Sequence, residues 1–204
     1  MRKALILFVF VLSGCVSIPA SPSPRFYMPA SMTSEQAAEK LDIAPGVIVV
    51  VGPITIPGSQ DRPQIVTRNK DGTLSFAQFD RWAEPLDSSL ARLISNDLAS
   101  LLPAASFQVF PCNFAIPLDY QVVVEVVQLD SDLANGMLFT GQWSIIDAKN
   151  RKLLLTKRSL IIEPIDPQDY FGLSKALGAA CFSLSREVAG NLCKLAKQRK
   201  PAKD

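Results

Sequence analysis

The sequence predicts an α+β domain in which a mainly antiparallel sheet carries two helices on one face, in the order β-β-β-α-β-β-β-β-α. Three observations carry this expectation. Tyr120–Asp130, Met137–Asp147 and Leu153–Glu163 are alternating stretches with turn sequences between them. Leu173, Leu177, Cys181, Leu184, Val188, Leu192 and Leu195 recur at steps of three and four, which makes one helical stripe. Leu86, Leu90, Leu93, Ile94, Leu98 and Leu101 repeat that spacing in a shorter segment. Strands grouped apart from helices, rather than alternating with them, put the helices together on one side of the sheet.

Taken in order, Phe26-Tyr27-Met28 adds a short edge strand closed by Pro29. Residues 31–45 read either as a short helix at Ser34–Leu41 or as a loop. Val47 to Pro57, "VIVVVGPITIP", is a β-branched apolar run of the kind found in buried strands. Gly58–Asp61 turns, Gln64–Arg68 is a strand, and "KDGT" is a hairpin turn into "LSFAQF", Leu74–Phe79. Pro85 suits a first helical turn, where its missing N–H loses nothing, and Pro103 closes that helix. "SFQVF", from Ser106, is a short strand.

The meander follows, with Asn135-Gly136 and "AKNR" as its turns. In its middle strand Met137, Phe139, Trp143 and Ile145 share one face, against Thr140, Gln142 and Ser144 on the other. The first face is covered; the second is wet or meets a partner. The last helix is expected from about Pro167 to Lys200, lying across the covered face. No repeat or second linker interrupts residues 26–200, which form one domain, and 201–204 are a basic tail.

At the other end, Arg2 and Lys3 precede nine apolar residues, Ala4–Leu12. A membrane span needs ~20, so this run describes a secretory signal. It stops at Leu-Ser-Gly-Cys, which resembles the bacterial lipobox, in which the cysteine takes a diacylglycerol and becomes the first mature residue. Residues 1–14 are therefore expected to be removed and Cys15 to be lipidated. Residues 15–25, with Pro19, Pro22 and Pro24 among serines, form a semi-rigid tether of roughly 3 Å per residue.

Without Arg2 and Lys3 the chain holds 19 basic and 19 acidic side chains. Five of the basic ones, Lys194, Lys197, Arg199, Lys200 and Lys203, crowd the C-terminus. That leaves 14 basic against 18 acidic groups over residues 15–193, so an overall basic nucleic-acid footprint is absent. Cys112, Cys181 and Cys193 remain beside Cys15. Cys181 and Cys193 stand about 18 Å apart along one helix, too far to bridge. A disulfide would join Cys112 to one of them, and an unbridged set of thiols is the other reading.

The chain contains no histidine. That removes Ser-His-Asp and Cys-His nucleophile systems and imidazole metal sites together. No phosphate-cradling or dinucleotide-binding glycine motif occurs, so no cofactor is expected. "DSDLANG", Asp130–Gly136, has the wrong spacing for a calcium loop and reads as a hairpin turn. Asp80, Glu84 and Asp87 do not share a helix face, because Pro85 intervenes; Glu84 and Asp87 read as helix-start charges. No catalytic or metal site is expected, and the chain is read as no enzyme.

The densest charged and aromatic stretch runs from Asp61 to Leu86, with Arg62, Arg68, Arg81 and Trp82 among Phe76 and Phe79. One reading is an arginine–carboxylate network with Trp82 plugging the core at a strand-to-helix corner. The other is a partner-binding surface, since tryptophan and arginine dominate interface energies.

These residues also carry a resemblance. "VGPI" with Ile56-Pro57, "DRPQIVTR" at Asp61–Arg68 and "RWAEPL" at Arg81–Leu86 resemble the PqiC-type lipoproteins, the ABC-type transport auxiliary family. The lipobox, the "FYM" start and the long last helix agree, so the resemblance spans nearly the whole chain. Gly58-Ser59-Gln60 departs from it, because the family has a bulky pair there. The resemblance implies a non-enzymatic accessory subunit of an MCE-type intermembrane lipid-transport system. Its partners would be an MCE-domain protein and a membrane permease, and a homo-oligomer is compatible with it. Val16 after the cysteine, rather than Asp, favours the periplasmic face of the outer membrane. A periplasmic lipid carrier and a structural envelope lipoprotein are the alternative readings.

Overall fold

The computed structural model describes residues 22–31, 40–112 and 117–198. The 1–14 signal, Cys15, most of the tether, nearly all of the Ser34–Leu41 alternative and the 201–204 tail lie outside the described residues. The chain runs β1 (Arg25–Tyr27), β2 (Ile48–Thr55), β3 (Gln64–Arg68), β4 (Leu74–Trp82), α1 (Leu86–Leu101), β5 (Ser106–Val109), β6 (Tyr120–Asp132), β7 (Gly136–Asp147), β8 (Lys152–Glu163) and α2 (Tyr170–Gln198). With β1 as the added edge strand, this is the expected order and an α+β fold.

The longest ladders, β6–β7 and β7–β8, are antiparallel, as the turn sequences require. Three parallel pairings depart from the expectation: β2 lies between β5 and β6, parallel to both, and β1 runs parallel to β4. The strands accordingly divide into a five-stranded sheet, β5-β2-β6-β7-β8, and a three-stranded one, β1-β4-β3. β2 shifts register between Val51 and Ile54. Gly52 sits at that shift with φ 115°, where a side chain would be strained and a Cβ would come 3.0 Å from Phe110 Cβ.

The predicted core face is present. Met137, Phe139, Trp143 and Ile145 are each 1 % exposed or less. α2 covers them with Leu173, Leu177, Leu184 and Leu192, all buried. At ~1.5–3 kcal/mol per buried leucine, these four contribute about 6–12 kcal/mol, comparable with a whole domain's net stability. α1 adds Leu90, Ile94, Leu98 and Leu101, all fully buried. Trp143 Nε1 donates to Ser159 Oγ at 2.9 Å, and Ser159 Oγ donates to Glu187 Oε2 at 2.5 Å, so the buried indole joins β8 to α2. On the opposite face Gln142 is exposed, but Thr140 is buried, and its hydroxyl has no partner.

Cys112, Cys181 and Cys193 are free thiols, so of the two cysteine readings the unbridged set is the observed one. Cys181 is fully buried between the helices, and burial pushes its thiol far above the ordinary range.

Candidate functional site

The cluster that the sequence singles out lies where β3, β4 and the start of α1 meet. The segment before β3 folds back on itself, Gln60 N–H donating to Pro57 O at 2.8 Å and Arg62 N–H to Gln60 O at 2.9 Å. Gln60 is buried and its Nε2 donates to Leu129 O on β6 at 2.8 Å. The loop that departs from the family pattern thus turns its glutamine inward and stitches the two sheets together. Gly58 and Ser59 stay exposed.

Pro63 then accepts from Trp82 N–H at 2.7 Å, which closes this segment over the end of β4. β4 runs to Trp82, three residues past its expected end, because β1 pairs alongside Asp80, Arg81 and Trp82. Trp82 is 5 % exposed, so it does plug the core at the corner. Its indole N–H is buried with no acceptor. Arg81 pairs with Gln64 across the hairpin, and its Nε is likewise buried without an acceptor. Arg62 is exposed, its guanidinium carbon 4.4 Å above the centre of the Phe76 ring, a cation–π contact. Neither Arg62 nor Arg81 forms an ion pair among the described residues.

These residues enclose a cleft of about 410 Å³, lined by Phe26, Arg62, Pro63, Arg81, Trp82 and Leu86, with Asp61 and Glu84 also in its wall. A partly apolar cleft bordered by the exposed Arg62 suits a partner that brings hydrogen-bond acceptors or negative charge.

Arg68 is elsewhere. It ends β3, about 13 Å along the strand from Gln64. There it bridges to Asp130 at 2.8 Å and donates to Gly72 O at 3.1 Å. It lines a separate groove of about 330 Å³ with Asp130, Asn135, Leu138 and Ile162. Arg68 is thus held in a charge pair, whereas Arg62 is exposed and Arg81 half-buried at the cleft.

The acidic candidates also separate. Asp80 is buried, held by Arg25 at 2.7 Å and by the Tyr27 hydroxyl at 2.9 Å. Glu84 pairs with Arg92 on α1, and Pro85 at the helix start leaves the cap without a side-chain hydrogen bond. Asp132 spends its carboxylate on its own turn, accepting from the backbone N–H groups of Ala134 and Asn135 and from Asn135 Nδ2. Sequence reasoning missed Asp97. It is buried on α1, meets Ser185 Oγ of α2 at 3.5 Å, and burial raises its pKa to about 7. Only the helical stripe, on whose edge an aspartate is out of place, could have flagged it.

The model of the family described as the ABC-type transport auxiliary lipoprotein component matches residues 30–189. This chain belongs to that family. The auxiliary lipoprotein is therefore a component of the cell envelope associated with an ABC transporter. No curated protein matches it. Among solved structures, it is similar to an uncharacterized protein at 16 % identity and TM-score 0.67, over 84 % of this chain and 99 % of that one. It is also similar to a Xanthomonas campestris protein of the DUF330 family, at 16 % identity and TM-score 0.64, over 85 % and 98 %. At this identity the likeness establishes the fold. Among the described residues, no helix is long and apolar enough to cross a membrane.

Proposed function

We propose that this auxiliary lipoprotein is a non-enzymatic accessory subunit of an MCE-type intermembrane lipid-transport system. Acyl chains on Cys15 hold it to the periplasmic face of the outer membrane, and the cleft at Arg62, Arg81 and Trp82 docks the MCE-domain partner. The observation that supports the docking role is the partly apolar cleft bordered by Arg62, which is exposed and forms no ion pair among the described residues. Arg68 is already held by Asp130 and contributes less to docking. The filled helix–sheet interface favours an assembly role over that of a lipid carrier.

Arg62→Glu is the cleanest probe, because its side chain is exposed and charge reversal leaves the fold intact. Co-purification with the MCE-domain protein is expected to fall at least about tenfold while the melting temperature stays within a few degrees. Undiminished co-purification of both Arg62→Glu and Arg81→Glu would remove the docking reading.

A further inference from the structure

The first strand after the tether carries an apolar rim that neither the core nor the cleft explains. Phe26 is 63 % exposed and Met28 55 %, and Phe171, in the first turn of α2, is 56 % exposed. The three belong to one end of the domain. The Tyr27 ring meets Tyr170 edge-on at 6.3 Å, and Ala30 N–H donates to Ser174 O at 3.2 Å. The segment carrying Phe26 and Met28 is thereby fixed beside the turn carrying Phe171. Lys175 holds its ammonium 5.7 Å from the centre of the Phe171 ring, and Phe26 borders the cleft that contains Arg62 and Arg81.

We propose that this end of the domain seats on the membrane, with Phe26, Met28 and Phe171 entering the headgroup layer of the leaflet that holds the Cys15 acyl chains. The proposal rests on acylation of Cys15. Arg25 stands ten positions after Cys15, so the tether reaches roughly 30 Å, and the first part of the domain that it delivers to the lipid surface is this rim. Three apolar side chains bind a bilayer weakly on their own. A short tether makes the contact intramolecular, so a weak contact is populated. Exposed aromatic rings with a lysine beside them are the composition of interfacial surfaces, and Lys175 adds attraction to anionic headgroups.

The test uses the full acylated protein in vesicles of three parts phosphatidylethanolamine to one part phosphatidylglycerol, with or without bromine on the acyl chains. Tryptophan is introduced singly as Phe26→Trp, Met28→Trp, Phe171→Trp and, as the control, Leu153→Trp. Leu153 is 58 % exposed and stands about 30 Å along β8 from the strand's α2 end. The emission of Trp82 and Trp143 in the parent is subtracted. Bromine is expected to quench the added emission about twofold or more at the three rim positions and hardly at all at Leu153→Trp. Acylated protein with unquenched rim tryptophans overturns the proposal while leaving the anchor in place. Rim emission that depends on protein density and not on bromine also overturns it, assigning the rim to a second copy. A mass without acyl chains on Cys15 overturns both the anchor and the seating.

Discussion

Asp97→Asn is expected to flatten the pH dependence of stability. Asp97 lies in the seam between α1 and α2, 5 % exposed, with Ser185 Oγ at 3.5 Å and the buried Cys181 thiol close enough to feel its charge. Burial raises its pKa from 3.8 to about 7, against a small opposing effect of the Ser185 hydrogen bond. The folded protein therefore holds a proton that the unfolded chain releases. Its contribution is full below pH 4 and is lost as pH rises towards 7, because the unfolded chain ionises freely while the folded one does so at a cost. At 1.36 kcal/mol per pH unit the full loss is about 4 kcal/mol, and about 2–4 kcal/mol once the seam relaxes around the charge. The asparagine keeps the shape and the hydrogen bond but cannot ionise. Urea unfolding followed by circular dichroism, from pH 4 to pH 8, should show the two proteins close at pH 4 and the variant about 2–4 kcal/mol more stable at pH 8. Taking the difference removes the other titrating groups, such as Glu163, whose pKa burial also raises. A difference that stays constant across this range would refute the reasoning, since it would mean that Asp97 ionises as readily inside the fold as outside it.

Further outcomes are expected elsewhere. Gly178→Ala would place a Cβ 1.8 Å from Ala30 O, so the segment after β1 must lift off α2; a loss of about 2–3 kcal/mol in urea unfolding is expected, with early proteolysis before residue 31. Ser159→Ala removes the hydroxyl between Trp143 and Glu187 and leaves the buried Trp143 indole N–H unpaired. It is expected to cost about 2–3 kcal/mol by the same measurement, whereas Thr140→Val, which deletes a hydroxyl that has no partner, is expected to be neutral or stabilising.

The parts legible in the sequence are those that depend on near neighbours. The α2 stripe and the β6–β8 meander were readable because period and turn chemistry report which face is buried and which strand follows. Strand alternation does not report which distant strand lies alongside, so the parallel seats of β1 and β2 and the division into two sheets were not readable. The same blindness hid the Arg25–Tyr27–Asp80 contact, which forms only when β1 reaches β4. The cluster at Arg62, Arg81 and Trp82 was legible because a tight turn and a two-strand hairpin gather it locally. Arg68 was grouped with it by sequence distance, but a strand is extended, and four residues carried the side chain to a different groove. Gln60 looked like a loop residue because its partner is a backbone carbonyl on β6, which no side-chain pattern announces.

The small parallel strand β1 has a mechanical consequence. Any pull on the tether enters the fold at Arg25, where the guanidinium grips a buried aspartate and the next residues lie in register with Asp80, Arg81 and Trp82. A load along the strand axis therefore has to shear the three paired residues and the ion pair together, instead of opening them one at a time. β1 is a strap sewn along the sheet. If it tore, the slack would lengthen only to the next fastening, at Ala30, whose N–H donates to Ser174 O on α2, and the sheet would still hang from the envelope.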